Sequence, residues 1–421
     1  MKKLLVIFQN GNYSRLFFAS FTSQMGSTIG LTALMFYFLN RFSHQPAYAT
    51  ITELMLSLPT LVVFFLVGVV TDRIDRQKIA QNCDWICFIL SLLLLWSLFL
   101  NWMPVAFALL FLRSMVKSFF TPAQSSLVQG VLTRDDYATA VGLNQMISSL
   151  FMLFGSGIGI YCYWVIGIYG AILIDAISFF ISALLIKSCR MSEEIRMPNG
   201  KHNIKDLNIS IVMKDFVKGI RYILNHNLLL TLISGFIVFG ILNGGLSVMQ
   251  VFILKYKLAP RNYEEVSIIL SIVFGIGILL GSVIASILSQ KIKLYHLLIL
   301  ALFIGGGATI LSSLVNTVWL YVICTGIVAL ALPMINVAIG GWIPKIVNPK
   351  MMGRVHGCIN PLMMLSQSLT LLFIAGFYPG ILAVETLFWI VGGCLIFVGV
   401  FYMISIPRLM KVDKSVSITL E

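Results

Sequence analysis

Long apolar stretches, punctuated by small clusters of charge, set the rhythm of this chain. Between Lys293 and Lys345 lie 51 consecutive residues without an Asp, Glu, Lys or Arg. A soluble helix keeps one polar face, so a soluble core does not accommodate such a run. About twenty apolar residues cross a bilayer as a helix, and this run predicts two crossings with a turn near Asn316. Similar runs separate Arg15 from Arg41, Asp84 from Arg113, Asp136 from Asp175, Arg221 from Lys255 and Arg354 from Glu385. The apolar windows predict helices at 15–40, 48–71, 79–100, 104–126, 138–164 and 168–187. Six more are expected at 228–254, 265–289, 294–314, 318–341, 356–378 and 382–406. A transmembrane barrel would instead alternate apolar and polar residues in strands of about ten. The expected class is all-α, a polytopic membrane protein of twelve transmembrane helices in two six-helix bundles.

Composition agrees: 59% of residues are hydrophobic and 11% charged. The net charge of +13 would suggest nucleic acid in a soluble protein. Here its distribution sets topology instead, because Lys and Arg accumulate on cytoplasmic loops. With the N-terminus inside, cytoplasmic segments hold 23 of the 29 Lys and Arg residues. Arg41, Lys255, Lys257 and Arg261 fall outside, while Arg113 and Lys117 fall within the fourth helix. Both termini are therefore expected in the cytoplasm, with the chain in a bacterial inner or plasma membrane. Residues 1–187 form the expected first bundle, 188–227 a cytoplasmic linker, 228–406 the second bundle and 407–421 a tail. The linker carries an amphipathic segment from Lys214 to Leu224, placed on the inner membrane surface. Lys2 and Lys3 precede an apolar piece too short for a signal peptide. The seven cysteines are scattered and expected to be reduced packing residues.

The halves echo each other at an offset of roughly 215 residues, as expected of a duplicated bundle. Thr133-Arg134-Asp135-Asp136 before helix 5 corresponds to Pro349-Lys350-Met351-Met352 before helix 11. Pro122 in helix 4 similarly corresponds to Pro333 in helix 10.

Between helices 2 and 3 stands Gly68-Val-Val-Thr-Asp72-Arg73-Ile-Asp75-Arg76-Gln-Lys78. This resembles the signature loop of the major facilitator superfamily. Gly68, Asp72, Arg73 and Arg76 match, whereas Asp75 replaces a usual Gly and Gln77 a usual base. The whole chain resembles the macrolide-efflux and siderophore-exporter-like branch, through Phe120-Thr-Pro122-Ala123, Leu173-Ile174-Asp175-Ala176-Ile177-Ser178-Phe179 and Gly353-Arg354-Val355. Gly155-Ser156-Gly157-Ile158-Gly159 resembles part of the family's antiporter signature, with Ser where Pro is usual. The resemblance implies a major facilitator fold working by alternating access, helices 1, 4, 7 and 10 lining a cavity, and a monomer as the default state. It implies proton-coupled efflux of a small amphipathic compound, macrolide-like or siderophore-like. Nutrient uptake by symport and lysolipid flipping are the alternatives.

Charge within the membrane supplies the candidate site. Arg113 lies roughly 13 Å into helix 4 at 1.5 Å per residue, and on lipid it would cost about 2.5–3.5 kcal/mol. It is expected to face a cavity or an acid. Lys117, one turn further, either shares that role or reaches cytoplasmic water if Pro122 ends the helix. Gln24, Asn144 and Asn243 complete the expected cavity. Glu53 and Asp175 are the proton-coupling candidates, with Glu385 a weaker one. A carboxyl moving between apolar and cationic surroundings changes its proton affinity. Both Glu53 and Asp175 could equally be wetted groups near outer helix ends, and Asp84 is expected to support the signature loop. Asp72, with Gly68, Arg73, Arg76 and Arg354, is expected to latch a gate against the N-terminus of helix 11. No catalytic constellation, metal cluster or phosphate-binding loop is present in the sequence, so neither an enzyme nor an ATP-driven pump is expected. No cofactor is expected, the proton gradient being the energy source. The expected partners are a small-molecule substrate and membrane lipid, not nucleic acid.

Overall fold

A computed structural model describes residues 7–197, 209–347 and 351–418. Each expected apolar segment falls on a helix. In the first half these are α1 (Gly11–Arg41), α2 (Ala47–Arg73), α3 (Arg76–Phe99), α4 (Met103–Val131), α5 (134–166) and α6 (168–187). In the second half α7 comprises Asn227–Ser234 and Phe236–Ile253. Then follow α8 (Tyr263–Lys291), α9 (Leu294–Leu314), α10 (Val318–Ile346), α11 (Met352–Phe377) and α12 (Val384–Ile418). Among the described residues, ten stretches are long and apolar enough to cross a membrane. Helix α1 lies outside those ten, and the segment holding α5 and α6 contributes one of them.

The chain divides into two compact units, Met1–Val212 and Met213–Glu421. In the first, α1 packs on the α5–α6 segment, α2 on α4, and α3 on both α4 and α6. The second repeats that scheme: α7 on α11, α8 on α10, and α9 on both α10 and α12. Small residues allow the close approaches. A Cβ on Gly155 or Gly159 of α5 would lie 2.5 and 2.6 Å from Thr28 and Thr32 of α1, well inside van der Waals contact. Gly240 and Gly244 of α7 meet the α11 backbone at Met363 and Gln367 in the same fashion.

Two helices depart from a straight rod for identifiable reasons. The α5–α6 segment turns at Gly167, whose φ of 68° and ψ of −177° lie in a region essentially restricted to glycine. In α7 the break falls at Gly235. Tyr402 of α12, fully buried, donates its hydroxyl to Leu232 O at 2.6 Å and occupies the space a Gly235 side chain would need. A side chain inserted into the helical ladder is a recognised cause of such a joint.

The linker forms a helix, Ile209–Leu224. Gly219 and Ile223 are buried, Lys218, Ile220, Arg221 and Leu224 exposed, and Gly219 packs on Arg354 and Cys358 of α11. The segment expected as a tail continues α12 helically to Ile418. Helix α4 runs through Pro122 to Val131, so the proline does not end it.

Gly167→Val should destabilise the first unit by about 1–3 kcal/mol through backbone strain alone, since no atom lies within 4 Å of the added Cβ. Heating detergent-purified protein and following the soluble monodisperse fraction measures this. An unchanged midpoint would contradict the assigned backbone geometry.

Candidate functional site

In the first unit, buried polar groups occupy a layer between two apolar clusters. One cluster gathers Tyr13, Leu16, Ile79, Phe120, Leu127 and Ile186. The other gathers Phe38, Leu94, Leu98, Leu110 and Ile172. Between them, in sequence position on α1, α3, α4 and α6, lie the buried Ser23, Ser27, Asp84, Ser91, Arg113, Asp175 and Ser182 and the half-buried Lys117.

The centre of the layer is an ion pair. Arg113 Nη1 donates to Asp175 Oδ2 at 2.5 Å, and Nη2 to Oδ1 at 3.4 Å. Ser91 Oγ donates to the same Oδ2 at 3.0 Å, and the guanidinium carbon lies 5.3 Å from the Phe179 ring centroid. Arg113 is 3% exposed and Asp175 fully buried. The sequence makes this possible by placing glycine at positions 26 and 30 of α1. A Cβ on Gly30 would come within 2.9 Å of Asp175 Cβ, and one on Gly26 would collide with Ser178. Thus α1 stays thin where α6 carries its acid.

Asp84 is buried as well and accepts a hydrogen bond from Ser182 Oγ of α6. It belongs to the α3–α6 interface, correcting the expectation that it braces the signature loop. The two residues that depart from the family's loop pattern do that work. Asp75 caps α3, accepting from Gln77 N at 3.0 Å and Lys78 N at 3.2 Å, and pairs with Arg196 at 3.2 Å. Gln77 Nε2 donates to Ile186 O and Cys189 O, each at 2.9 Å, tying α3 to the end of α6. Arg76 Nε donates to Thr71 O at 3.2 Å.

A cavity of about 310 Å³ opens among α1, α4 and α5. Gln24, Lys117 and Asn144, all expected there, line it together with Phe17, Phe21, Phe120, Ser23, Gln124 and further hydroxyl residues. Lys117 Nζ donates to Ser27 Oγ and sits 5.1 Å from the Phe179 centroid. Its head is thus held within the helix bundle, and the expected route to cytoplasmic water past Pro122 is not taken. Arg113 does not line the cavity, because its guanidinium is turned inward to Asp175. The same pair removes Asp175 from the wetted helix end expected as its alternative. Asn243 lies exposed on α7 in the second unit.

Glu53 on α2 is half-buried, with no hydrogen bond or ion pair among the described residues. Glu385 is instead held by Lys257 at 3.0 Å, whose Nζ also donates to Ser313 O at 2.9 Å. That clamp joins the π-helical turn that follows α7, Leu254–Leu258, to the ends of α9 and α12, and it makes Glu385 a structural pair. Gly68, Asp72 and Arg73 fall in the last turns of α2. Their side chains, and the latch expected from Asp72, lie outside the described residues. Arg354 stands in the first turn of α11, its Nη1 3.4 Å from Met351 Sδ. Sequence reasoning missed the roles of Asp75, Gln77, Gly26 and Gly30. The sequence signal that Gly26 and Gly30 carry is their small-x-x-x-small spacing.

Stacked apolar helices in two units of matching internal scheme, with paired charges buried in the bundle, define a helical membrane transporter architecture. The Major Facilitator Superfamily profile matches residues 16–370, and the chain belongs to that family. It is 47% identical over 403 residues to the uncharacterised MFS-type transporter YkuC of Bacillus subtilis (strain 168), covering 96% of this chain and 94% of that one. It is 23% identical over 366 residues to macrolide efflux protein A of Streptococcus pyogenes, covering 84% and 86% respectively. Among solved structures, a POT family transporter in complex with a thioalcohol-conjugated peptide aligns with a TM-score of 0.74 at 14% identity, covering 94% of this chain and 96% of that one. A point mutant of the nucleoside transporter NupG aligns at 0.71 and 13% identity, covering 93% and 99%.

Removing one partner of a buried ion pair costs about 3–5 kcal/mol, whereas replacing both by apolar groups can be neutral. Asp175→Asn or Arg113→Met should therefore lower the thermal midpoint markedly, and the double variant Arg113→Met/Asp175→Leu should recover most of it. Equal loss in single and double variants would show that the pair is not the stabilising unit.

Proposed function

We propose that this protein exports a small amphipathic compound by alternating access, energised by the proton-motive force. The observation that carries the proposal is the charged layer of the first unit, where Arg113, Asp175, Lys117 and Asp84 are held inside an otherwise apolar bundle. Ionisable groups at such depth are costly, and in membrane proteins they mark substrate and ion pathways. Export is supported by the likeness to macrolide efflux protein A over 84% of the chain. Amphipathic cargo is supported by the mixed phenyl, hydroxyl and amide lining of the cavity. Proton exchange at Asp175, Asp84 or Glu53 is one way to draw on the gradient, and the membrane potential is another. The proposed setting is a bacterial plasma membrane with both termini cytoplasmic, where Gly68, Asp72, Arg73, Arg76 and Arg354 gate the cytoplasmic side.

A deletion and overexpression panel scored across antibiotics and siderophores should yield a compound whose toxicity or retention depends on the gene. Everted vesicles should accumulate that compound when energised, and an ionophore that collapses the gradient should abolish accumulation. Asp175→Asn, inserted at normal levels, should reduce the rate about ten-fold or more, equivalent to about 1.4 kcal/mol. Gene-dependent accumulation in intact cells would reverse the direction. Phospholipid redistribution without export of any compound would replace the cargo.

A further inference from the structure

The charge inventory of the cavity points to a substrate class. Of the two cations in the layer, Arg113 is taken up by Asp175. Lys117 belongs to no ion pair among the described residues; its Nζ donates to a neutral hydroxyl, Ser27, and faces an aromatic ring. An ammonium has three N–H donors and no acceptor, so capacity for a ligand remains. No Asp or Glu stands among the described residues lining the cavity. Its other polar groups are hydroxyls and amides. Asp84 and Asp175 both act on Lys117 electrostatically; Asp175 is paired with Arg113 and Asp84 is bonded to Ser182, and neither carboxylate lines the cavity.

Ser23, also on the cavity wall, is 1% exposed, and its hydroxyl lies against the Asp84 carboxylate. Phe17, Phe21 and Phe120 supply apolar wall on the same cavity.

Resting on the export reading above, we infer that this cavity takes an organic anion, its negative group on the Lys117 ammonium and its apolar body against the phenyl rings. A bound anion and a bound proton reinforce rather than displace each other at one site. The substrate therefore draws on the electrical part of the proton-motive force. For one negative charge, an inside-negative potential favours outward distribution about fifty-fold per 100 mV.

Fluorescein and rhodamine 123 share a xanthene body but carry opposite charge, and fluorescence anisotropy with detergent-purified full-length protein reads their binding. Fluorescein should bind saturably and rhodamine 123 about ten-fold more weakly or worse. Lys117→Gln should weaken fluorescein about ten-fold, and Lys117→Arg should retain it. The wild-type comparison of dyes needs no variant to fold. Rhodamine 123 binding as tightly, fluorescein indifferent to Lys117→Gln, or neither dye binding would overturn the proposal. Displacement by lysophosphatidic acid but not benzoate would assign the anion to a lipid headgroup. Displacement by benzoate would assign it to a free organic anion, and displacement by neither would mean the anionic group is not what is held. Fluorescein bound but not moved in proteoliposomes would leave the site standing and remove the export reading. Outward movement of rhodamine 123 alone would do the reverse.

Discussion

The Arg113–Asp175 pair is the constraint around which the first unit is arranged. An arginine near the middle of an apolar helix has no stable place against acyl chains, so a partner must reach it from a neighbouring element. Asp175, itself fully buried, does so from α6, and Ser91 of α3 donates to the same carboxylate. Three helices are thereby fixed in register at one level. The fourth, α1, is obliged to present glycine where the acid passes. Once Arg113 is spoken for, Lys117 on the next turn becomes the cation that meets the cavity. The site's electrostatics thus follow from a packing solution to a solvation problem.

Much of the architecture was legible in the chain. Uncharged runs located the helices because the bilayer demands them at a nearly fixed length. The expected 294–314 coincides with Leu294–Leu314, since Lys293 and Asn316 punctuate both ends sharply. Pairing was not legible. Asp175 lies 62 residues from Arg113, and nothing in a single sequence says which acid answers which base. Pro122 read as a possible stop, yet within an apolar layer the alternatives to helix leave more backbone groups unsatisfied, and α4 continues past it. Glu385 resembled a membrane acid only because its partner, Lys257, sits on a different helix end.

The signature loop shows how a departure from a pattern can be informative. Asp75 stands where glycine is usual, and Gln77 where a cation is usual. Neither is idle: one caps α3 and holds Arg196, the other fastens α3 to carbonyls at and just past the end of α6. The family's loop chemistry and this chain's own bracing are interleaved in a few residues. Substitutions at Asp75 or Gln77 therefore loosen the bracing of α3.

Tyr402 gives α7 an unusual mechanical character. Because the Leu232 carbonyl is bonded by a hydroxyl from α12, the first two turns of α7 are moored to another helix rather than to their own continuation. The remainder, Phe236–Ile253, begins afresh from Gly235, whose carbonyl accepts from Val238 N at 3.0 Å and Phe239 N at 3.2 Å. A rod has become two jointed pieces with the shorter one bolted to α12, so any shift of α12 is passed straight to the start of α7.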